Sequence, residues 1–253
     1  MTHPLCLWQP ARVVLLTLAA VAYAPSFAAD THAHGAPHFD YRHQEQWEEI
    51  HGDMQSPIAI DSAIAIPDKD DDEDDTIVPH NGVHDAMVAD TGHALQVNVA
   101  PGQWVKIRGR RFALLQFHFH AASEHSIDGR SYPLEGHFVY KAKDGRLAVI
   151  AVMFQKGAAN GAAVQILKSF VRGKTDVPVK LDAGMLLPPT ADYYHYLGSL
   201  TTPPLSQNVE WYILARPMTM SASQLAGFKA LYDGNNRKQQ PLSGRPLLHF
   251  RGN

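Results

Sequence analysis

The chain has 253 residues, 45% of them hydrophobic and 19% charged, with a formal net charge of −3. That is enough chain to bury one sizeable core. The charge points to no particular partner, and no basic stripe supports nucleic-acid binding.

The N-terminus stands apart. Arg12 precedes an apolar run from Val13 to Ala22, and Ser26 and Ala28 follow at the spacing of a cleavage site. Residues 1–28 are therefore expected to be a secretory signal peptide, cut near Ala28 or Ala29, which exports the chain to the periplasm or the medium. The run is shorter than the roughly 20 residues that cross a bilayer, so an uncleaved anchor is the weaker reading and the mature chain needs no membrane span. The one cysteine, Cys6, falls in this leader. Any metal site in the mature chain must then be built from histidines and carboxylates.

Residues 29–38 hold His32, His34 and His38 and read as a flexible histidine-rich segment, with zinc scavenging as a second use. Residues 39–253 read as one domain. Its start, as far as His51, looks irregular. So does the acidic run from Asp68 to Asp75, which fails as a calcium loop because Glu73 and Pro79 stand where Gly and Glu are needed.

The centre reads as β-structure. From Phe112 to Ala121 the pattern alternates, with Gln116, His118 and His120 on one face and Phe117 and Phe119 on the other. A second strand is expected from Leu134 to Lys141, with Glu135, His137 and Val139 on one face. Asp144-Gly145 marks a hairpin, and Leu147 to Phe154 follows as a third strand. Ala158 to Phe170 has helical periodicity, Val209 to Ala215 is a further strand, and Ser221 with Gln224 forms a capping box for a helix reaching about Tyr232. The expected fold is mainly β with short helices, a single domain around a large, mostly antiparallel central sheet.

Two histidines at i and i+2 on a strand place both imidazoles on one face, about 7 Å apart. A third on the neighbouring strand completes a set that leaves zinc an open position for water. His118, His120 and His137 fit that pattern if the strands pair in register. Gln116 and Glu135 lie on the same faces as candidate acceptors for the outer ring N–H groups.

These residues fall in longer blocks. Gln-Phe-His-Phe-His at 116–120, Ser-Glu-His at 123–125, Leu-Glu-Gly-His at 134–137 and Gly-Ser-Leu-Thr-Thr-Pro-Pro at 198–204 resemble the signature blocks of α-class carbonic anhydrases. Gln55-Ser56-Pro57, Asn235-Asn236-Arg237 and Gln240-Pro241-Leu242 extend the resemblance over roughly residues 39–250. It implies the α-carbonic anhydrase fold, one Zn2+ per chain, and reversible hydration of carbon dioxide to bicarbonate and a proton by zinc-bound hydroxide. It implies His118, His120 and His137 as metal ligands with Gln116 and Glu135 behind them. It implies Thr201, backed by Glu124, as the group orienting the hydroxide. Tyr41 and His93 would serve the water network and the proton shuttle, His93 as an exposed imidazole. Val139, Val149, Leu200, Thr202, Val209 and Trp211 would line the carbon dioxide pocket.

The resemblance also implies sulfonamide and anion inhibitors and allows a homodimer. The competing readings are a catalytically silent zinc-binding relative and a secondary esterase activity. The chain departs from many bacterial relatives in lacking the cysteines they carry near Gly52–Met54 and Leu205–Ser206.

Overall fold

The computed structural model describes residues 39–47, 52–68, 77–189 and 192–251. The leader, the histidine-rich stretch, His51 and the acidic residues 69–75 lie outside them.

The alternating segment becomes a long strand because its two faces meet two different environments. In chain order the strands are β1 (Ala59–Ile60), β2 (Ile66–Pro67), β3 (Ile77–His80), β4 (Val83–Asp90) and β5 (Leu95–Val99). Then come β6 (Trp104–Ile107), β7 (Arg110–His120), β8 (Ser126–Ile127), β9 (Leu134–Ala142) and β10 (Leu147–Lys156). After helix α1 (Gly161–Ser169) follow β11 (Val177–Asp182), β12 (Tyr193–Ser199), β13 (Gln207–Leu214) and β14 (Met218–Met220). Helix α2 (Ala222–Leu231) and β15 (Leu248–Phe250) complete the described chain.

The main sheet runs β11-β4-β5-β7-β9-β10-β13-β12-β15-β2. As expected, β7, β9 and β10 form an antiparallel meander. The sheet is mostly antiparallel, with parallel pairs where β10 meets β13 and β14 and where β15 meets β2. Asp144 and Gly145 lie in the turn between β9 and β10, where Gly145 takes a φ of +90°.

Two apolar clusters cover the two faces. The back cluster holds Phe117, Phe119, Phe138, Tyr140, Ile150 and Val152, with Ile166 of α1 and Phe228 of α2 packed over them. The Phe119 and Phe228 rings are 4.5 Å apart. Each such side chain removed from water contributes about 1.5–3 kcal/mol. The front cluster holds Val139, Val149, Met153, Val209, Trp211 and Ile213 with Ile58, Ile60 and Tyr196. β9 is buried on both faces over most of its length, which is why its sequence shows little alternation.

The ends of α2 follow the sequence closely. Ser221 accepts from Gln224 N–H, and the Gln224 side chain accepts from Ser221 N–H. The same Gln224 side chain also holds Asn160, the N-cap of α1, by accepting its N–H (3.0 Å) and donating to its carbonyl (2.6 Å). α1 is shorter than expected because Asn160 caps it and Phe170 returns to extended backbone. The stretch expected to be irregular contains a 3-10 helix at Tyr41–Trp47, with Phe39, Tyr41 and Trp47 packed ring edge to face. Local aromatic packing orders it, which hydropathy periodicity does not report.

With no disulfide, buried arginines hold the Gln55-Ser56-Pro57 segment. Arg237 donates to Gln55 Oε1 (2.9 Å) and Ser56 O (2.6 Å), and Arg245 donates to Gln55 O (2.8 Å). Such charge-assisted bonds are shorter and stronger than neutral ones.

Candidate metal centre

β7 and β9 pair so that His118 lies directly opposite His137, and His120 opposite Glu135. That is the register the metal pattern requires. One nitrogen from each of His118, His120 and His137 lies within 4.8 Å of the others. Each ring's second nitrogen is occupied. His118 Nδ1–H donates to Gln116 Oε1 at 2.9 Å, and His137 Nε2–H donates to Glu135 Oε1 at 2.8 Å. His120 Nδ1–H donates to the backbone carbonyl of Asn235 at 2.6 Å. These bonds fix the tautomers and leave Nε2, Nε2 and Nδ1 as the free lone pairs. His120 Nε2 is buried with no hydrogen-bond partner. A buried orphan nitrogen facing two more is what a metal would satisfy.

Electrostatics agree. Burial lowers the pKa of all three histidines, His118 furthest, with the other two rings repelling its charged form. They are held neutral, as ligands must be. Glu135 is fully buried, yet the His125 and His137 rings beside it hold its carboxyl well below the usual range against that burial. Glu124 behaves oppositely, since burial pushes its carboxyl up to about 7. The His137 ring, the Arg237 N–H and the Thr201 hydroxyl oppose that rise. Thr201 is buried in the turn after β12, so the structure brings Thr201 and Glu124 together beside the three histidines.

The expected apolar wall is also assembled. Val139 pairs with Val149 across β9 and β10, and Val149 pairs with Trp211 across β10 and β13. That row crosses three strands of the front face, with Val209 in the same cluster and Leu200 packed against it. The Trp211 ring lies 4.9 Å from the His137 ring, and its indole N–H donates to Ser199 O at 2.9 Å. Thr202 is half-buried in the same turn.

Tyr41 has a buried hydroxyl with no hydrogen-bond partner, and burial followed by the nearby Glu124 charge pushes its pKa up. His93 differs from expectation. It is half-buried rather than exposed, because its ring stacks face to face on Phe39 at 3.9 Å and its Nε2 lies 3.1 Å from Phe39 O.

Three participants escaped the sequence reading of roles. Asn235 supplies the acceptor for His120 through its carbonyl, which any residue possesses. His125 donates to Glu135 (2.7 Å) and contacts the Tyr196 hydroxyl (2.8 Å), extending the support of His137 outward. Arg237 N–H donates to Glu124 at 2.7 Å. Each sits in or beside a block quoted above, and that was the available signal.

Fold and site together define a candidate metal centre of three histidines on one sheet face, beside a row of apolar side chains. The family model of eukaryotic-type carbonic anhydrases matches residues 41–250. The chain is 43% identical over 212 residues to a carbonic anhydrase of Pectobacterium carotovorum, covering 78% of this chain and 80% of that one. It is 35% identical to the carbonic anhydrase of a Nostoc species, covering 81% of each. Among solved structures, the α-carbonic anhydrase of Thermovibrio ammonificans in complex with sulfanilamide aligns with a TM-score of 0.71 at 38% identity, covering 78% of this chain and 87% of that one. The Photobacterium profundum α-carbonic anhydrase aligns with the same score at 34% identity, covering 78% and 89%. This chain belongs to the α-class, eukaryotic-type carbonic anhydrase family. It is an enzyme of carbon dioxide hydration, in a family that depends on zinc. No helix among the described residues is long and apolar enough to cross a membrane.

Proposed function

We propose that residues 39–253 form the catalytic domain, that one zinc per chain is held by His118, His120 and His137, and that carbon dioxide is hydrated against the Val139–Val149–Trp211 row. The observation that carries this is the trio of ring nitrogens whose opposite nitrogens are each tied to Gln116, Asn235 O or Glu135. Three neutral imidazoles and no thiolate suit zinc and leave it a vacant position. Bound zinc supplies a Lewis acid that lets water attack at neutral pH, as is known for carbonic anhydrases.

The chain's own groups do the rest. Thr201 orients the attacking O–H, donating its own proton to Glu124, because a carboxylate can only accept. A cation held by the three histidines favours the ionised form of Glu124, opposing the effect of burial. The Thr201 backbone N–H is the candidate donor for the developing bicarbonate oxygen. Val139, Val149, Leu200, Val209 and Trp211 hold a linear apolar substrate that offers few hydrogen bonds, with Thr202 at the rim. Tyr41 bounds the water path, and His93 carries the proton away, an imidazole being suited to that near neutral pH. Sulfonamides and small anions compete for the position that water occupies. The 1–28 leader exports the chain to the periplasm or medium, where disulfides are permitted but this chain uses none.

The test is stopped-flow carbon dioxide hydration by the purified mature chain, with its zinc content measured. Fast hydration, blocked by a sulfonamide, is the expected result. No hydration above buffer from protein holding one zinc per chain would overturn the reading.

A further inference from the structure

We propose that Asp90 positions the turn carrying His93, and thereby governs how fast the proton leaves the site. This rests on the shuttle role given to His93 above.

Asp90 ends β4 and is buried. Its carboxylate gathers donors from three separate parts of the chain. Oδ1 accepts from the Gly92 N–H at 2.9 Å and from the Tyr232 hydroxyl. Oδ2 accepts from the Gly173 N–H at 2.7 Å and lies 3.6 Å from the Arg172 guanidinium. The Asp90 N–H reaches back to Lys174 O. Arg172 closes the cluster by lying over the Tyr232 ring at 4.7 Å and donating to Leu231 O.

The turn itself is tight. Thr91 Oγ1 donates to Ala94 O and accepts from the N–H groups of His93 and Ala94. Gly92 sits at a φ of +82°, with open space where a side chain would be. Its N–H is held by Asp90. On the other side, Asn235 Nδ2 donates to His93 O at 3.0 Å while Asn235 O receives His120. The turn is therefore held from outside at three points: by Asp90, by Asn235 leading to the histidine trio, and by Phe39 under the His93 ring. Tyr232 and His93 line the same cavity of about 270 Å³. Carboxylate acceptors make short, directional bonds, so this arm is stiff. Proton transfer through ordered water depends steeply on where the acceptor ring sits. Loosening Asp90 should slow the export of the proton and leave the hydration step alone.

The experiment uses zinc-loaded mature enzyme and the variants Tyr232→Phe and Asp90→Asn, with His93→Ala run beside them. Carbon dioxide hydration is measured in dilute buffer and in concentrated imidazole. In dilute buffer kcat is expected to fall about three- to tenfold in both variants while kcat/KM holds, and imidazole restores kcat. The ring C–H resonances of His93, assigned by their loss in His93→Ala, are expected to shift in Tyr232→Phe. If His93→Ala slows turnover and the other two variants do not, the positioning role is wrong and the shuttle stands. If kcat and kcat/KM fall together without rescue, Asp90 merely holds the fold and the proposal fails. If His93→Ala leaves kcat unchanged, the shuttle reading fails and takes this proposal with it. Should Asp90→Asn not fold, Tyr232→Phe decides.

Discussion

His195 on β12 stacks on Tyr212 at 4.6 Å, and both its ring nitrogens are buried without a hydrogen-bond partner. Burial lowers its pKa from 6.5 to about 4, with Glu210 and Asp68 favouring the charged form and Arg108 opposing it. The unfolded chain takes up a proton near 6.5 and the folded chain only near 4, so between these values the unfolded state binds more protons. Stability must therefore fall as pH drops through that window, by about 3 kcal/mol across the whole of it and about 2 kcal/mol from about pH 7 to about pH 5. His195→Phe keeps the stack and removes the titration. Urea unfolding of both proteins at the two pH values isolates the effect, because every other titrating group, the three site histidines included, is common to both. The wild type should lose about 2 kcal/mol more than the variant, with unchanged m-values. Equal losses would refute the reasoning and mean that the ring gains a proton acceptor or water in the folded state.

Other substitutions test other parts of the account. His118→Ala should lose zinc and hydration activity together, checked by metal analysis and stopped flow. Glu135→Gln should keep the fold but weaken zinc affinity about 10- to 100-fold, read by competition with a chelator. Gly198→Ala places a Cβ 2.1 Å from Ser56 Oγ and 3.0 Å from Trp211, and should cost about 1–3 kcal/mol or more in urea unfolding. Ser221→Ala removes the cap of α2 and should cost about 1 kcal/mol with activity intact.

What could be read from the residues alone follows from the physics of each element. The β7 pattern was legible because its faces differ in kind, phenylalanines against the helices and histidines towards the site. The capping box was legible because its partners are three residues apart. The wall was not separable from ordinary core, since Val139, Val149 and Trp211 lie on strands buried on both faces and the row exists only once β10 and β13 pair. That parallel pairing depends on a long crossover with no local signature. The Asn235 carbonyl carries no side-chain identity, and the Tyr232 to Asp90 bond joins positions 142 apart. The stacking of His93 on Phe39 depends on how the 3-10 segment docks.

The two buried glutamates show how the same residue type is given different work. Glu135 has all its acceptor positions used: Oε2 takes the N–H groups of Glu124 (2.7 Å) and His125 (2.9 Å), and Oε1 takes His125 (2.7 Å) and His137 (2.8 Å). So saturated, it stays ionised in a dry interior and can only hold His137 still. Glu124 accepts one backbone N–H, from Arg237, and its Oε2 is buried without a settled partner, 3.9 Å from His137 Nε2. Burial raises the carboxyl of Glu124, with the Glu135 charge adding to it, while the His125 and His137 rings, backed by their hydrogen bonds, hold Glu135 low against the same burial, so the two pKa values are pushed apart. In the proposed reading, Glu124 keeps a lone pair for the Thr201 hydroxyl beside it. Completing its shell with another donor, or removing its charge, should therefore impair turnover while Glu135 goes on holding the metal site in shape.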